Sequence, residues 1–201
     1  MFKQLVIASG NQGKLAEFQG LLAPLQIQVW SQSQFNIPEA AEPHCTFIEN
    51  ALAKARHASM ASGLPALADD SGLCCEALNG MPGVHSAYFA SMDQPEARND
   101  AHNNAHLLKI LKQFDNRFAY YYCCLVLVCE PQDPRPLIAE GIWAGSILKK
   151  PRGIHGFGYD PLFLDHITGQ TAAELNPEIK NKVSHRGQAL RKMLHLIEHL
   201  N

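Results

Sequence analysis

Short apolar runs alternate with helix-spaced apolar positions along this chain, a pattern that predicts an α/β fold. Residues 4–8 form an apolar run that predicts a strand and stops at the polar sequence SGNQGK. Apolar positions at helical spacing follow over residues 15–22, and residues 27–30 predict a second strand. A strand, a glycine-bearing loop and a helix in this order are typical of nucleotide-binding folds.

The next segment predicts a loop followed by a capped helix. Residues 31–44 are polar and contain proline, so we expect an exposed loop. Thr46 and Glu49 then have the spacing of a capping box, which predicts a helix that continues to Ser62 and ends at Gly63.

A central strand is predicted where residues 64–68 form another apolar run. We expect this strand to end in a turn made by the four residues DDSG, residues 69–72, because these residue types favour turns. Ligands of open α/β sheets bind at the carboxyl ends of the strands, so this turn is a candidate site.

The second half of the chain predicts a mixed sheet. Residues 94–114 have a helical pattern, and the aromatic and β-branched segment 118–130 predicts a strand. A proline-bearing turn at 131–136 leads to a partner strand at 137–148, so we expect an antiparallel hairpin.

The last third predicts a glycine-rich loop and two helices. The loop is GIHGFGYDP, residues 153–161, and it leads to a second capping box at Thr171 and Glu174. Asn176 and the proline after it predict a helix start, and an amphipathic helix follows from residue 185. No internal repeat or linker interrupts the sequence, so we expect a single domain over residues 1–201.

Composition narrows the class of partner. The chain is 46% apolar and has a formal net charge of −2, which gives it no basic field for nucleic acid. A small nucleoside triphosphate needs only a local positive patch. The apolar run near the first residue is too short for a signal peptide or a membrane span, so we expect no membrane partner and a cytoplasmic location.

The cysteines are candidates for disulfides, and the histidines are candidates for metal ligands. The six cysteines include two adjacent pairs and no CxxC motif, which predicts reduced, mostly buried thiols. His102 and His106, like His195 and His199, share a helical face. We expected neither pair to have a cysteine or carboxylate that completes a metal site, so surface histidines are the expected outcome.

The loop SGNQGK has the chemistry of a phosphate site. Gly10 and Gly13 let the backbone approach a ligand closely, and Lys14 adds a positive charge where a helix begins. The spacing differs from that of a P-loop, and a tight turn with an exposed lysine is the alternative.

The adjacent carboxylates Asp69 and Asp70 indicate a cation site. Mg²⁺ prefers hard oxygen ligands and takes one or two protein carboxylates, and one carboxylate can also orient or deprotonate water. A surface turn is the alternative, but two like charges beside an apolar strand are costly without a cation. Glu42 is a further candidate ligand for Mg²⁺, and a solvated carboxylate is the alternative. Asn50 and Lys54 share one helical face, which points either into a cleft or to solvent.

Two further segments carry candidate base contacts. Phe157 can stack on a base, while the glycines around it expose backbone groups; the alternative is a turn with a buried aromatic ring. Hydrogen-bond donors follow at Lys180, Ser184, His185 and Arg186, where they suit a purine carbonyl oxygen and reject an exocyclic amine, or else cap a helix.

Together these segments resemble the inosine triphosphate pyrophosphatase family, the non-canonical purine nucleoside triphosphate pyrophosphatases of the Ham1 and RdgB type. The resemblance covers nearly the whole chain. The family-like stretches are SGNQGK at 9–14, TFIENA at 46–51, ADDSGL at 68–73, GFGYDP at 156–161 and KNKVSHRGQAL at 180–190.

The resemblance implies an elongated mixed β-sheet with flanking helices, which form two lobes around a central nucleotide cleft, and usually a homodimer. It also implies Mg²⁺-dependent hydrolysis of ITP, dITP and XTP to the monophosphate and pyrophosphate. By position, Asp70 would be catalytic and Glu42 and Asp70 would bind the metal. The implied substrate contacts are Ser9, Gly10, Asn11, Gln12, Gly13, Lys14, Ser71, Phe157, Gly158, Tyr159, Asp160, Lys180, His185 and Arg186.

The chain departs from the family pattern at three positions. His44 and His155 stand where the family more often has glycine, and Tyr88 replaces an arginine. Two other functions stay open: a Maf-type pyrophosphatase that acts on other modified nucleotides, and a module that binds nucleotides without cleaving them. A panel of triphosphate substrates separates the three.

Overall fold

The computed structural model describes residues 2–10, 12–22, 26–92 and 99–200, with only the backbone of residues 12, 13, 16, 17 and 21. Its strands are β1 (Gln4–Ile7), β2 (Gln28–Ser31), β3 (Ala66–Cys75), β4 (Phe118–Val128), β5 (Leu137–Ile147) and β6 (Phe163–Asp165). They form one sheet in the order β2-β1-β3-β4-β5-β6. Strand β1 pairs in parallel with β2 and β3, whereas β5 and β6 are antiparallel, so the predicted mixed α/β sheet is confirmed.

Apart from the third, the described helices begin and end close to the predicted positions. They are α1 (Gln12–Leu22), α2 (Phe47–Ser62), α3 (Asp100–Leu111), α4 (Pro177–Val183) and α5 (His185–Glu198). Thr46 caps α2 by accepting from the backbone of Glu49, and Gly63 ends it with a φ of 70°. Helix α3 begins later than predicted, after the cap residue Asn99, and residues 94–98 of the predicted helix lie outside the described residues.

The second predicted capping box was wrong, because residues 172–174 after Thr171 form a turn and not the first turn of a helix. The Thr171 hydroxyl donates instead to the carbonyl oxygen of Arg152, at 2.9 Å. The reciprocal bond does form, from the Thr171 N–H to the carboxylate of Glu174 at 2.7 Å. The predicted helix start at Asn176 is confirmed, since its side chain accepts from the backbone of Glu178.

The chain divides into two compact units. Unit 1 comprises residues 1–70, 123–141 and 186–201, and unit 2 comprises residues 71–122 and 142–185. Each unit has its own apolar core: Phe18, Leu125 and Met193 are among the buried residues of unit 1, and Trp143 and Phe163 among those of unit 2. Strands β3, β4 and β5 contain residues of both units. The single domain stays a prediction.

The six thiols are free, and four of them are buried, as predicted. His195 and His199 are exposed, as expected, but the expectation that no carboxylate joins this pair was wrong. Glu198 lies beside them, and the three ligand atoms are within 4.8 Å of one another. Glu198 follows His195 by three residues in α5, a spacing that places both side chains on one helical face. Among the described helices, none combines the length and apolarity that crossing a bilayer requires.

Candidate active site

The acidic pair does not lie in a turn, which corrects the prediction. Strand β3 continues without a break from Ala66 through Asp69 and Asp70 to Cys75. Both carboxylates are buried, and each is paired with a cationic side chain, so the strand carries them without exposure to water. Neighbouring side chains of a strand point to opposite faces, which explains why the two aspartates have different partners.

Asp69 joins two cationic side chains that are distant in sequence. Lys14 donates to its Oδ1 at 2.5 Å, and Arg186 donates to its Oδ2 from Nε and Nη2, each at 3.2 Å. Burial alone would raise the pKa of Asp69, but Lys14 and Arg186 hold that pKa well below its usual range. Asp69 is therefore an anion at neutral pH that holds the lysine of the glycine loop in place.

Asp70 faces helix α2. Lys54 donates to its Oδ1 at 3.1 Å, and Asn50 donates to its Oδ2 at 3.3 Å. The same ammonium donates to Oε1 of Glu42 at 2.8 Å. Lys54 thus connects the two carboxylates that were predicted to bind a metal ion.

The charge of Asp70 is less well compensated than that of Asp69. Burial raises the pKa of Asp70 to about 6, although Lys54 opposes this, and the nearby carboxylates of Glu42 and Asp69 add to the rise. Burial also opposes the charge of Lys54, but Asp70 and Glu42 raise its pKa. A further cation beside Asp70 and Glu42 would therefore be favourable.

The start of helix α2 positions these groups. Asn50 and Lys54 lie one turn apart on one helical face, and both contact Asp70, so of the two alternatives this face points inward and not to solvent. Asn50 also accepts from the N–H of His44 at 3.0 Å and donates to its carbonyl oxygen at 3.2 Å. The exposed His44 therefore contributes backbone bonds that fix the loop after Glu42.

The glycine loop leads from β1 into α1. The N–H of Ser9 donates to the carbonyl oxygen of Ile7, and Gly10 is exposed. A Cβ added to Gly10 would lie 2.6 Å from a carboxylate oxygen of Glu39, so the close approach requires glycine or a shift of that side chain. Asn11 lies outside the described residues, and the backbone of Gln12 and Gly13 forms the first turn of α1.

The loop at residues 156–160 of unit 2 is closed by Asp160. Its Oδ2 accepts from the N–H of Phe157 at 2.9 Å and from Nζ of Lys180 at 2.6 Å. The Lys180 ammonium lies 5.3 Å from the centroid of the Phe157 ring, which is 41% exposed. Three residues predicted to contact the base thus lie together.

Helix α3 supports the same loop through contacts that no local sequence pattern predicts. Asp100 accepts from the N–H of Gly158 at 2.6 Å, and Asn104 donates to its carbonyl oxygen at 2.9 Å. Gly158 has a φ of 61°, a conformation that L side chains rarely adopt. The neighbouring Tyr159 is buried and donates from its hydroxyl to the carbonyl oxygen of Ser86 at 2.9 Å.

Tyr121 connects Asp160 with His185. Its hydroxyl donates to Oδ1 of Asp160 at 3.3 Å, and its ring stacks on the imidazole of His185, with centroids 4.7 Å apart and planes at 10°. Burial and the charge of Asp160 raise the pKa of Tyr121 well above its usual value, which keeps the hydroxyl a donor. His185 is itself buried.

The remaining predicted positions have simpler surroundings. Ser71 is half-buried in β3. Tyr88 is half-buried at a break in a 3₁₀ segment, Gly83–Ser91, with a φ of −130°. His155 is exposed and donates from its backbone to the carbonyl oxygen of Ala173 at 3.1 Å.

Unit 1 therefore brings Lys14, Glu42 and Arg186 together around the acidic pair, Asp69 and Asp70. Lys54 and Asn50 also belong to this cluster, although the sequence analysis did not assign them a role. The signal was their shared helical face, but spacing alone does not tell an inward face from a solvated one.

Comparison with known proteins finds a family match over most of the chain. The model of the Ham1 family matches residues 5–196. A dITP/XTP pyrophosphatase of Aromatoleum aromaticum is 57% identical over 194 residues, which cover 96% of each chain. One of Ralstonia nicotianae is 55% identical over 192 residues, which cover 96% of this chain and 95% of the relative. The solved structure of a HAM1 protein from Coxiella burnetii aligns with a TM-score of 0.91 at 44% identity, covering 98% of this chain and 99% of that one.

Proposed function

Because this chain belongs to the Ham1 family, we propose that it is a pyrophosphohydrolase of non-canonical purine nucleoside triphosphates. It cleaves dITP, ITP and XTP to the monophosphate and pyrophosphate and so removes damaged purines from the nucleotide pool. The observation that carries this proposal is the cluster in which Lys14, Glu42 and Asp70 are linked through Asp69 and Lys54.

Glu42 and Asp70 would hold Mg²⁺. Both offer hard oxygen ligands. The ammonium of Lys54 donates to both carboxylates, so positive charge is favoured at this position. The raised pKa of Asp70 supports the same assignment, since a further cation would stabilise its ionised form. When bound, Mg²⁺ would withdraw charge from the phosphate oxygens and activate a water molecule.

Lys14 would neutralise charge on the phosphates. Ser9, Gly10, Asn11, Gln12, Gly13 and Ser71 are proposed as further contacts to the triphosphate and nucleotide. The start of α1 suits an anion, because its first backbone N–H groups have no partner within the helix.

Asp70 would orient the attacking water and accept its proton. Asp70 is buried in β3, and bonds from Asn50 and Lys54 hold its carboxylate in place for this role. Attack on the anhydride between the α and β phosphates then releases pyrophosphate. Positioning and charge stabilisation supply most of the rate enhancement in phosphoryl chemistry of this kind.

Residues of unit 2 would bind the base. Phe157 presents an exposed ring for stacking, while Gly158, Tyr159 and Asp160 shape the loop around it. Lys180 and His185 supply donors toward a purine oxygen. Arg186 was predicted to act there too, but its described contact is with Asp69, which supports a role in positioning that carboxylate.

Steady-state release of pyrophosphate from ITP, dITP, XTP, GTP and a modified UTP, with and without Mg²⁺, tests the proposal. We expect Mg²⁺-dependent cleavage of the three non-canonical purines and little of GTP. Cleavage of the modified UTP alone would instead identify a Maf-type specificity, and binding without cleavage would identify a nucleotide-binding module.

Asp70→Asn is the matching variant test. We expect it to lose several orders of magnitude in turnover while it keeps its circular dichroism spectrum, because the acceptor of the water proton is gone. Wild-type turnover by this variant would refute the role of Asp70.

The assembly and location of the protein stay predictions. We propose a homodimer, which light scattering of the purified chain would test, and a cytoplasmic location, which cell fractionation would test. The proposed partner is the nucleoside triphosphate itself.

A further inference from the structure

We propose that His195, Glu198 and His199 form a second metal site, which binds one divalent transition-metal ion such as Zn²⁺. The three residues belong to the last turn of helix α5 and its immediate end. They take no part in the proposed hydrolysis, and all three are exposed, so a cation has access to them from solvent.

The spacing brings three ligand atoms to one point. Residues three and four positions apart lie on the same helical face, and here the ligand atoms are all within 4.8 Å of one another. The two imidazole rings have centroids 4.3 Å apart, with planes inclined at 55°. Both rings and the carboxylate can therefore contact one ion.

One imidazole is already held in the tautomer that a metal requires. Nδ1 of His199 lies 2.7 Å from the carbonyl oxygen of His195. A carbonyl oxygen only accepts, so the ring donates from Nδ1 and carries its lone pair on Nε2. A backbone bond of this type is the usual way in which a metal-binding histidine is oriented.

The helix end favours a cation. The last carbonyl groups of a helix lack partners within it and carry a partial negative charge, so positive charge is stabilised in this turn. The carboxylate of Glu198 adds a full negative charge at the same place.

The donor set selects the class of metal. Two imidazole nitrogens and one carboxylate are the ligands of Zn²⁺, Ni²⁺ and Cu²⁺, whereas Mg²⁺ prefers oxygen ligands and retains its water. Three protein ligands leave a coordination position open for water or a side chain of another molecule.

The chain supplies a matched control in His102 and His106. This pair has the same spacing on helix α3, and no acidic group joins it in a metal cluster among the described residues. His106 packs edge to face against Phe89, with ring centroids 5.0 Å apart. We therefore expect this pair to bind a transition metal more weakly.

Competition with a chromophoric Zn²⁺ chelator tests the site on the full-length chain, in excess Mg²⁺ so that the oxygen-rich site is occupied. The variants are His195→Gln, His199→Gln, Glu198→Gln and the control His102→Gln. We expect one tight equivalent of Zn²⁺ in the wild type, a loss of more than about tenfold in affinity for each histidine variant, and no change for His102→Gln. Glu198→Gln should weaken binding less than either histidine variant.

Two results would overturn the proposal. One is the absence of a tight equivalent in the wild type. The other is equal affinity in the wild type and both histidine variants, which would place the ion elsewhere, for example on the exposed thiols of Cys45 and Cys129. Asp70→Asn should retain the Zn²⁺ equivalent, so failure of this site and failure of the proposed hydrolysis are distinguishable.

Discussion

Lys14 and Asp69 form a 2.5 Å ion pair that joins the glycine loop to strand β3 across 55 residues of sequence. The carboxylate is almost fully buried, and Arg186 donates to its other oxygen. Lys14, which is proposed to neutralise charge on the phosphates, therefore lies beside Asp69, the residue before Asp70.

Asp69→Asn should destabilise the protein strongly. The substitution leaves the buried guanidinium of Arg186 and the ammonium of Lys14 without their anion, and breaking a buried ion pair in this way costs about 3–5 kcal/mol. Urea unfolding followed by circular dichroism measures the loss in the free energy of unfolding.

Asp70→Asn is the matched control, and it should cost little stability or none. The pKa of Asp70 is raised to about 6 in the folded protein, so its ionisation at neutral pH weakens the fold, and a neutral side chain removes this penalty. Equal destabilisation by the two substitutions would contradict the different charge balance of the two aspartates.

Lys54→Gln should make the protein more dependent on metal. Without its ammonium, Glu42 and Asp70 face each other uncompensated, and we expect the metal-free protein to lose about 1–3 kcal/mol. Added Mg²⁺ should then raise the thermal midpoint of the variant more than that of the wild type, because binding to the folded state stabilises it.

Lys112→Gln, which removes an exposed lysine after helix α3, is the control for this experiment. It should shift neither the metal-free midpoint nor the response to Mg²⁺. If Mg²⁺ raises the midpoints of Lys54→Gln and wild type equally, Lys54 does not balance the two carboxylates.

Much of the fold follows from local sequence. The caps at Thr46 and Asn176 act through bonds to residues two or three positions away, so their residue types suffice to predict the helices they begin. Strands β1, β4 and β5 were likewise predicted from apolar runs, each within two residues at either end.

The site was predicted less completely, because its contacts connect distant residues. Turn-forming residue types in DDSG predicted a turn, but Lys14 and Arg186, 55 and 117 residues away from Asp69, neutralise its charge and allow an extended strand. The support of Gly158 by Asp100 and Asn104 is equally non-local. No local pattern carries such information.

Gly72→Ala should test whether the extended path of β3 requires glycine. An added Cβ would lie 2.2 Å from the carbonyl oxygen of Gly83 and 2.5 Å from the hydroxyl of Ser86, so backbone must shift. We expect a loss of about 1–3 kcal/mol in the free energy of unfolding, as for other overpacked sites.

Gly20→Ala is the matched control for this substitution, since nothing lies within 4 Å of its added Cβ in helix α1. Alanine is the better helix former, so this variant should gain about 1 kcal/mol. A neutral result for Gly72→Ala in the same chemical denaturation series would show that the neighbouring backbone yields at no cost.

Asp165→Asn should change how stability depends on pH. Asp165 accepts from the indole of Trp143 at 2.9 Å and from the hydroxyl of Thr168 at 2.7 Å. Burial alone would raise the pKa of Asp165, but the bonds from Thr168 and Trp143 lower it. Its ionised form therefore stabilises the folded state above the pKa of about 3.9 that an unfolded aspartate has, and this contribution is lost as pH falls toward the lower folded value.

The variant should be less stable than the wild type at neutral pH, and the difference in the free energy of unfolding should shrink toward about pH 3. Urea unfolding of both proteins over this range measures the difference, and a constant difference would mean that the Asp165 carboxylate is not stabilised by these bonds.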